Sequence, residues 1–290
     1  MAPEEIPKHN LPEERPNASM TSTPARPTLE AILAVTRARV AALQKVAADL
    51  ERRAVAAPLP RPFLGSPSTP SGAMVGVIAE VKRRSPSQGT IRADLDPVAH
   101  ARAYVRGGAV AVSVLTDEAH FGGSLDDLAR VAAAVSAPVL RKDFILDELQ
   151  ILEARAAGAS AVLLIVRVLS RERLNALAAA ARAWGLATLV EVHGAAELDP
   201  ALAAGAAAIG VNARDLASFA VDLRGAEAVI GRVPPGLPAV AESGIETRQD
   251  VERLAAAGAD FVLVGTSLAR RSDPEEAVRA LTQVRRRGRD

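Results

Sequence analysis

The chain has 290 residues, 49% of them hydrophobic and 2% aromatic, with no cysteine and a formal net charge of +1. That length and composition support a sizeable core of Ala, Val, Leu and Ile, and exclude disulfides, thiolate nucleophiles and cysteine-bound metals. The near-zero charge and scarce aromatics argue against a field that recruits nucleic acid or membrane, and against a base-stacking platform.

His9, His100, His120 and His193 show no HxxxH or HExxH spacing, so no histidine metal site is expected. No apolar stretch approaches the roughly 20 residues of a membrane span. The beginning, "MAPEEIPKHNLPEERPNASM", contains no apolar signal segment. The expectation is a soluble cytoplasmic protein.

Residues 1–27 are rich in Pro, Glu and Asn without periodicity and are expected to be disordered; Met20 is an alternative start. From Thr28 to Ala54 the pattern predicts a helix with Thr28 as its cap. A Pro/Gly/Ser-rich connection, 57–73, follows. Then eight short apolar runs alternate with Ala-rich amphipathic stretches: 75–82, 109–116, 138–144, 161–166, 186–193, 207–213, 238–244 and 261–267. Asp96, Ser124, Asp147, Ser170 and Thr247 stand where helix caps belong.

The phrases "RGGAVAVSVL", "AAGASAVLLI", "AAGAAAIGVN" and "AAGADFVLVG" repeat one event: a helix end, Gly-Ala, then a strand. Eight units of this size predict an α/β fold, a (β/α)8 TIM barrel forming a single domain over 28–290. An open doubly wound sheet fits less well, because no GxGxxG or GxxxxGK[ST] loop follows a strand. The basic ending "RRRGRD" reads as a solvated helix end.

In a barrel the active site lies at the C-terminal strand ends. The first run, in "VIAEVKRRSPSQG", ends with Glu80 and Lys82, two residues apart and so on one face. The third carries Lys142 and Asp143, the fifth Glu191, the sixth Asn212 and Arg214, and the seventh Glu242 and Ser243. Any one of these alone reads as a surface charge. Together they predict a polar pocket whose crowded charges split pKa values and provide a general acid and a general base. Gly244 and Gly265, with Ser243, Thr266 and Ser267, place tight turns and hydroxyls after the last two strands, where barrels hold phosphate. The residues thus point to a cofactor-free barrel enzyme using acid–base chemistry on a phosphorylated metabolite. A Schiff base on Lys142 remains open at this point.

The motifs "IAEVKRRSPSQG", "VSVLTDEAHFGGSLDDL", "PVLRKDF", "LVEVH", "IGVNARDL", "AESGI" and "VGTSL", in this order, resemble the indole-3-glycerol phosphate synthase family of tryptophan biosynthesis. The likeness extends over roughly residues 28–285. It implies a carboxy-lyase that converts 1-(2-carboxyphenylamino)-1-deoxyribulose 5-phosphate into indole-3-glycerol phosphate, carbon dioxide and water, without metal or organic cofactor. It also implies that helix 28–54 lies over the barrel mouth.

By the same resemblance Lys142 is the general acid of ring closure and Glu191 the acid/base of dehydration. Glu80 stabilises the charged intermediate, and Lys82 anchors substrate or donates a proton. Asn212 bonds the reacting region and Glu242 completes the polar network. Arg214 and Ser85 hold the anthranilate carboxylate, and Ser243, Gly244, Gly265 and Thr266 hold the phosphate. Phe121, Phe144 and Leu163 form an apolar wall for the aryl ring.

Three features depart from the family pattern: Gln88 in place of a common Lys, Arg167 in place of a small or apolar residue, and the 57–73 connection. Phosphoribosylanthranilate isomerase is a rival barrel, but it relies on a Cys/Asp pair. A non-catalytic barrel would be expected to lack one of Glu80, Lys142 and Glu191. The resemblance leaves open both a monomer and contacts with other enzymes of the pathway.

Overall fold

The computed structural model describes residues 27–65 and 73–289. The expected disordered extension lies outside these residues except for Pro27, as does 66–72 of the connection. Eight strands alternate with helices: β1 (Gly76–Val81), β2 (Ala111–Leu115), β3 (Val139–Lys142), β4 (Ala161–Ile165), β5 (Ala187–Val192), β6 (Ala208–Asn212), β7 (Ala239–Glu242) and β8 (Phe261–Val264). All pair in parallel and close in the order β1-β8-β7-β6-β5-β4-β3-β2. Each strand falls inside its predicted run.

Two apolar clusters explain why the runs are nearly continuous. Outward-facing Val77, Val112, Val139, Val162, Val190, Ile209 and Val262 pack beneath the helices. Inward-facing Ile78, Ala111, Leu140, Leu163, Leu189, Ala208, Val240 and Leu263 fill the interior. A strand covered on both faces has few polar positions to offer. On the inward series, charged side chains and one amide come where it reaches the mouth, at Glu80, Lys142, Glu191, Asn212 and Glu242.

All five predicted caps accept a backbone N–H at their helix starts. The Gly of each repeated phrase has a positive φ, 100° at Gly108, 83° at Gly158, 71° at Gly205 and 100° at Gly258, the left-handed turn that glycine adopts without Cβ strain.

The predicted 28–54 helix is present but divided. It runs as α1 (Leu29–Leu43), a 3-10 turn at Gln44–Val46, and α2 (Ala47–Ala56). Val46, at φ −119° and ψ 13°, leaves the helical region. The break lets the two halves meet different surfaces. In α1, Ile32 and Leu33 join the interior cluster, and Arg39 reaches Asp143 at 2.7 Å. The end of α2 is held by Arg155, which donates to Ala57 O and Pro58 O at 2.9 and 2.6 Å. The connection does more than link, because Phe63 is buried in the interior cluster.

The basic ending is not a solvated helix end. Val284 O accepts from Val75 N, and Arg286 N donates to Ala73 O, so the segment pairs alongside the approach to β1. Arg286 and Arg289 both engage the buried Asp260, at 3.0 and 2.7 Å. Arg289 also donates to the carbonyls of Val233, Leu237 and Gly258. Asp260 in turn accepts from Ala239 N at the start of β7. Charge alone could not separate this clasp from a solvated tail, because its acidic partner is 26 to 29 residues away in sequence.

Breaking a buried pair leaves its partner uncompensated, and Arg286 offsets only part of that loss. Arg289→Ala is expected to destabilise the fold by about 2–4 kcal/mol. Replacing the exposed Arg287 should change little. Thermal melts of both variants check this, and equal melting temperatures would contradict it.

Candidate active site

Barrel closure brings the inward, mouth-side residues of β1, β3, β5, β6 and β7 into one pocket. It is lined by Glu80, Lys82, Ser85, Phe121, Lys142, Phe144, Leu163, Glu191, Asn212, Arg214, Glu242, Ser243, Gly244, Gly265 and Thr266, so every residue predicted for the site lies on it. Leu29 and Ile32 of α1 also line the pocket, which places that helix at the mouth.

Lys142 is the centre of the cluster. Its Nζ lies 3.0 Å from Glu242 Oε2 and 3.2 Å from Glu191 Oε2. Burial disfavours the ammonium, but Glu242, Glu191 and Glu80 outweigh it and raise the Lys142 pKa well above the ordinary lysine value. The charged form is therefore strongly favoured. That form can donate a proton; an imine-forming lysine needs the neutral amine.

The two carboxylates beside Lys142 diverge. Glu191 receives Asn212 Nδ2 on Oε1 at 3.2 Å, and His193 Nε2 stands 3.4 Å from the same oxygen. Burial pushes Glu191 up, yet Lys142, His193 and Asn212 pull harder and hold it below the usual carboxylate range. Glu242 has no such donors, and its Oε1 is buried without a hydrogen-bond partner. Burial pushes its pKa up to about 7; Lys142 opposes the rise and the charges of Glu191 and Glu80 add to it. Two similar residues thus acquire different protonation behaviour from their surroundings.

Glu80 and Lys82 form their own pair at 2.7 Å. Beyond them Arg83 is bound by Asp127, and Arg84 donates to the carbonyls of Glu118 and Ala119. The charges of "EVKRR" therefore have two destinations: Glu80 and Lys82 in the pocket, Arg83 and Arg84 on the loop and helix that follow β2.

Two glycines shape the site. A Cβ at Gly210 would lie 2.2 Å from Glu242 Oε1, and one at Gly265 would lie 2.3 Å from Glu80 Oε1. Both carboxylates occupy space that only glycine leaves. The sequence places Gly265 in a phosphate-binding turn, and it does not single out Gly210. A glycine inside the strand phrase "AAIGVN" was the signal available for it.

Around the cluster, Arg214 is half-buried and no carboxylate pairs with it among the described residues; burial alone lowers its pKa. It donates to Phe219 O at 3.0 Å, and its backbone N–H donates to Asn212 Oδ1, which orients that amide toward Glu191. Ser243 and Gly244 have φ of 70° and 71°. A left-handed serine is strained by about 1–3 kcal/mol and is the kind of outlier found at ligand sites. Ser267 is less available than its sequence position suggested, since its hydroxyl donates to Ile245 O.

Asp143 does not add a free charge to the pocket. Arg39, Arg141 and Thr116 bind its carboxylate. Arg167 does not line the pocket: it pairs with Glu197 at 3.1 Å and with Asp215. Gln88 accepts from Arg270. His193 and Glu197, which stand behind Glu191, were also missed. The period-two spacing in "LVEVH" was the signal, since it puts His193 on the same face as Glu191.

A sequence model of the indole-3-glycerol phosphate synthase family matches residues 29–281. "Indole-3-glycerol phosphate synthase 2" of Streptomyces coelicolor is 52% identical over 234 residues, covering 81% of this chain and 90% of that protein. The indole-3-glycerol phosphate synthase of Mycolicibacterium smegmatis is 48% identical over 256 residues, covering 86% and 92%. Among solved structures, a thiamine phosphate pyrophosphorylase from Pyrococcus furiosus superposes with a TM-score of 0.55 at 18% identity, over 71% of this chain and 93% of that one. That likeness speaks to the barrel alone. With its motifs in order, its acid–base cluster assembled and a match across nearly the whole barrel, the chain belongs to the indole-3-glycerol phosphate synthase family.

Proposed function

We propose that the cluster divides the family's reaction between Lys142 as the acid of ring closure and Glu191 as the base of dehydration. The chain is a carboxy-lyase of tryptophan biosynthesis that acts on a small phosphorylated substrate. The observation that supports the division is the central ammonium between two carboxylates of unlike protonation.

In the first step the ring carbon bearing the carboxylate attacks the ketone carbon, and a C–C bond forms. Lys142 gives its proton to the carbonyl oxygen, which becomes a hydroxyl. Carbon dioxide then leaves, and its bonding pair restores aromaticity. In the last step the hydroxyl departs as water with a further proton from an ammonium group, either Lys142 again or Lys82. Glu191 takes a proton from the neighbouring ring CH2, leaving the indole double bond. Overall one proton is consumed, drawn from solvent.

Glu80 stabilises the positive charge of the intermediate, and Asn212 holds Glu191 in place. Arg214 suits the planar carboxylate of the substrate, with Ser85 beside it. Ser243, Gly244, Gly265 and Thr266 offer hydroxyls and turn N–H groups to the phosphate. Phe121, Phe144 and Leu163 cover the aryl ring. The raised Lys142 pKa favours proton donation over the Schiff-base reading.

Glu242 is the group that titrates near neutrality, so it is placed to return a proton to Lys142 at 3.0 Å. The test is a pH–rate profile followed by indole fluorescence with the purified protein and its substrate. An ionisation near 7 is expected in the wild type. It should be absent from Glu242→Gln. A Gln variant with the same inflection would assign that ionisation to another group.

A further inference from the structure

We infer that His193 is a positioning residue for Glu191, the inner end of a chain of contacts that fixes the dehydration base from behind. The inference rests on the Glu191 role proposed above. It begins with burial: the His193 side chain is only 2% exposed, and the residue does not line the substrate pocket. Unlike the equally buried Glu191, it stands outside the pocket wall.

Both ring nitrogens nevertheless face carboxylates. Nε2 is 3.4 Å from Glu191 Oε1, and Nδ1 is 3.6 Å from Glu197 Oε2. Neither makes a formed hydrogen bond at these distances, so the ring is poised between two acceptors. Its own backbone N–H is held at 2.7 Å by Glu197 Oε2. The other Glu197 oxygen receives Arg167 Nε at 3.1 Å, and Arg167 continues to Asp215 in the loop after β6. The series Asp215, Arg167, Glu197, His193, Glu191 thus runs from the rim inward to the reacting base.

The chemistry of Glu191 needs such support. Its Oε2 is engaged by Lys142 from β3, and its Oε1 by Asn212 from β6. The other charged groups of the mouth are Glu242 from β7 and Glu80 with Lys82 from β1. Once Lys142 has donated its proton, the ammonium that held Oε2 is neutral. A donor on the far side then keeps Glu191 ionised and oriented for the following step. His193 Nε2 stands 3.4 Å from the oxygen that Lys142 does not hold. Orientation of a working group by a buried partner behind it is a general device of active sites.

Two uncharged substitutions separate positioning from other roles. His193→Gln reaches about as far as Nε2 and keeps an N–H donor for Glu191. His193→Asn is one methylene shorter, so its amide reaches only the Nδ1 side. Both are polar and neither titrates, so a shared folding defect would appear in both.

For His193→Asn, kcat is expected to fall roughly 10- to 100-fold, because the close approach of a ring nitrogen to the charged Glu191 is removed, with KM little changed. Losing a donor destabilises the ionised Glu191, so its pKa rises and the acid limb of the kcat profile moves upward by about 1–2 pH units. His193→Gln should restore most of the rate and return the limb.

Wild-type kcat and an unmoved limb in the Asn variant would overturn the inference. So would a Gln variant as impaired as the Asn variant while both melt like the wild type, since that would make the imidazole itself indispensable. The underlying role of Glu191 is tested separately by Glu191→Gln. If that variant stalls dehydration while His193→Asn does not, only the bridge fails; if Glu191→Gln is fully active, the base assignment fails whatever His193 does.

Discussion

Lys142→Ala should reduce turnover by roughly 10³-fold or more, the range in which general acid catalysis operates. The ammonium is the group that both carboxylates address, at 3.0 and 3.2 Å. Without it ring closure loses its proposed acid, and Glu191 and Glu242 lose the ammonium that lies between them. Like charges so close cannot both persist, and one carboxylate takes a proton. That neutralisation limits the damage to stability. Lys142 ends β3 with its side chain in the pocket, so the layers of Leu140, Leu163 and Leu189 below it stay packed. The expected result is a melting temperature near the wild-type value alongside lost indole fluorescence. Lys142→Arg should not rescue, because a guanidinium holds its proton too tightly and needs a planar acceptor. Near-normal activity in the Ala variant would remove Lys142 from the mechanism.

Glu191→Gln should split the reaction rather than silence it. The amide can still accept from Lys142, but it cannot take a proton. Ring closure and loss of carbon dioxide are expected to continue, while dehydration slows by roughly 10²–10⁴-fold. Carbon dioxide would then be released without matching indole fluorescence, and a hydroxylated ring intermediate would accumulate. The two signals, read in one sample, decide the matter. If they fall together, Glu191 acts before decarboxylation; if neither falls, it is no base at all. The lowered pKa has a sign here as well. A base held below the usual carboxylate range is ionised across neutral pH, so a loss of dehydration on acidification reflects protonation of Glu191 well below 7. The Glu242 ionisation, at about 7, is separate.

The barrel was legible in the sequence because its signals are local. A glycine in the left-handed turn at Gly158 or Gly258, and a cap at Asp147 or Thr247, act within a few residues of chain. Likewise the inward charges stood out because apolar runs covered on both faces make Glu80 and Lys142 conspicuous. The 15 site residues named from sequence all meet in one pocket. Where reading failed, the missing information was a distant partner. The basic ending looked solvated because Asp260 is far from Arg289 in sequence. Asp143 looked like a pocket charge because Arg39 comes from a helix 104 residues earlier. The break at Val46 follows from the surfaces that α1 and α2 cover, and no helix breaker marks it.

By itself the sequence determined the alternation of strand and helix, the barrel, the family and the set of residues that reach the mouth. Each of these is encoded in periods of two and 3.6 residues, in turn glycines and in ordered motifs, all of which act along the chain. Only the tertiary structure decided which carboxylate keeps its proton. Glu191 and Glu242 stand near the mouth-side ends of β5 and β7, on either side of β6, but Glu191 has Asn212 from β6 and its own segment's His193 beside it, whereas Glu242 Oε1 meets the bare backbone of Gly210. Protonation depends on donors, charge and solvent within a few ångströms, and that neighbourhood exists only once β5, β6 and β7 are side by side.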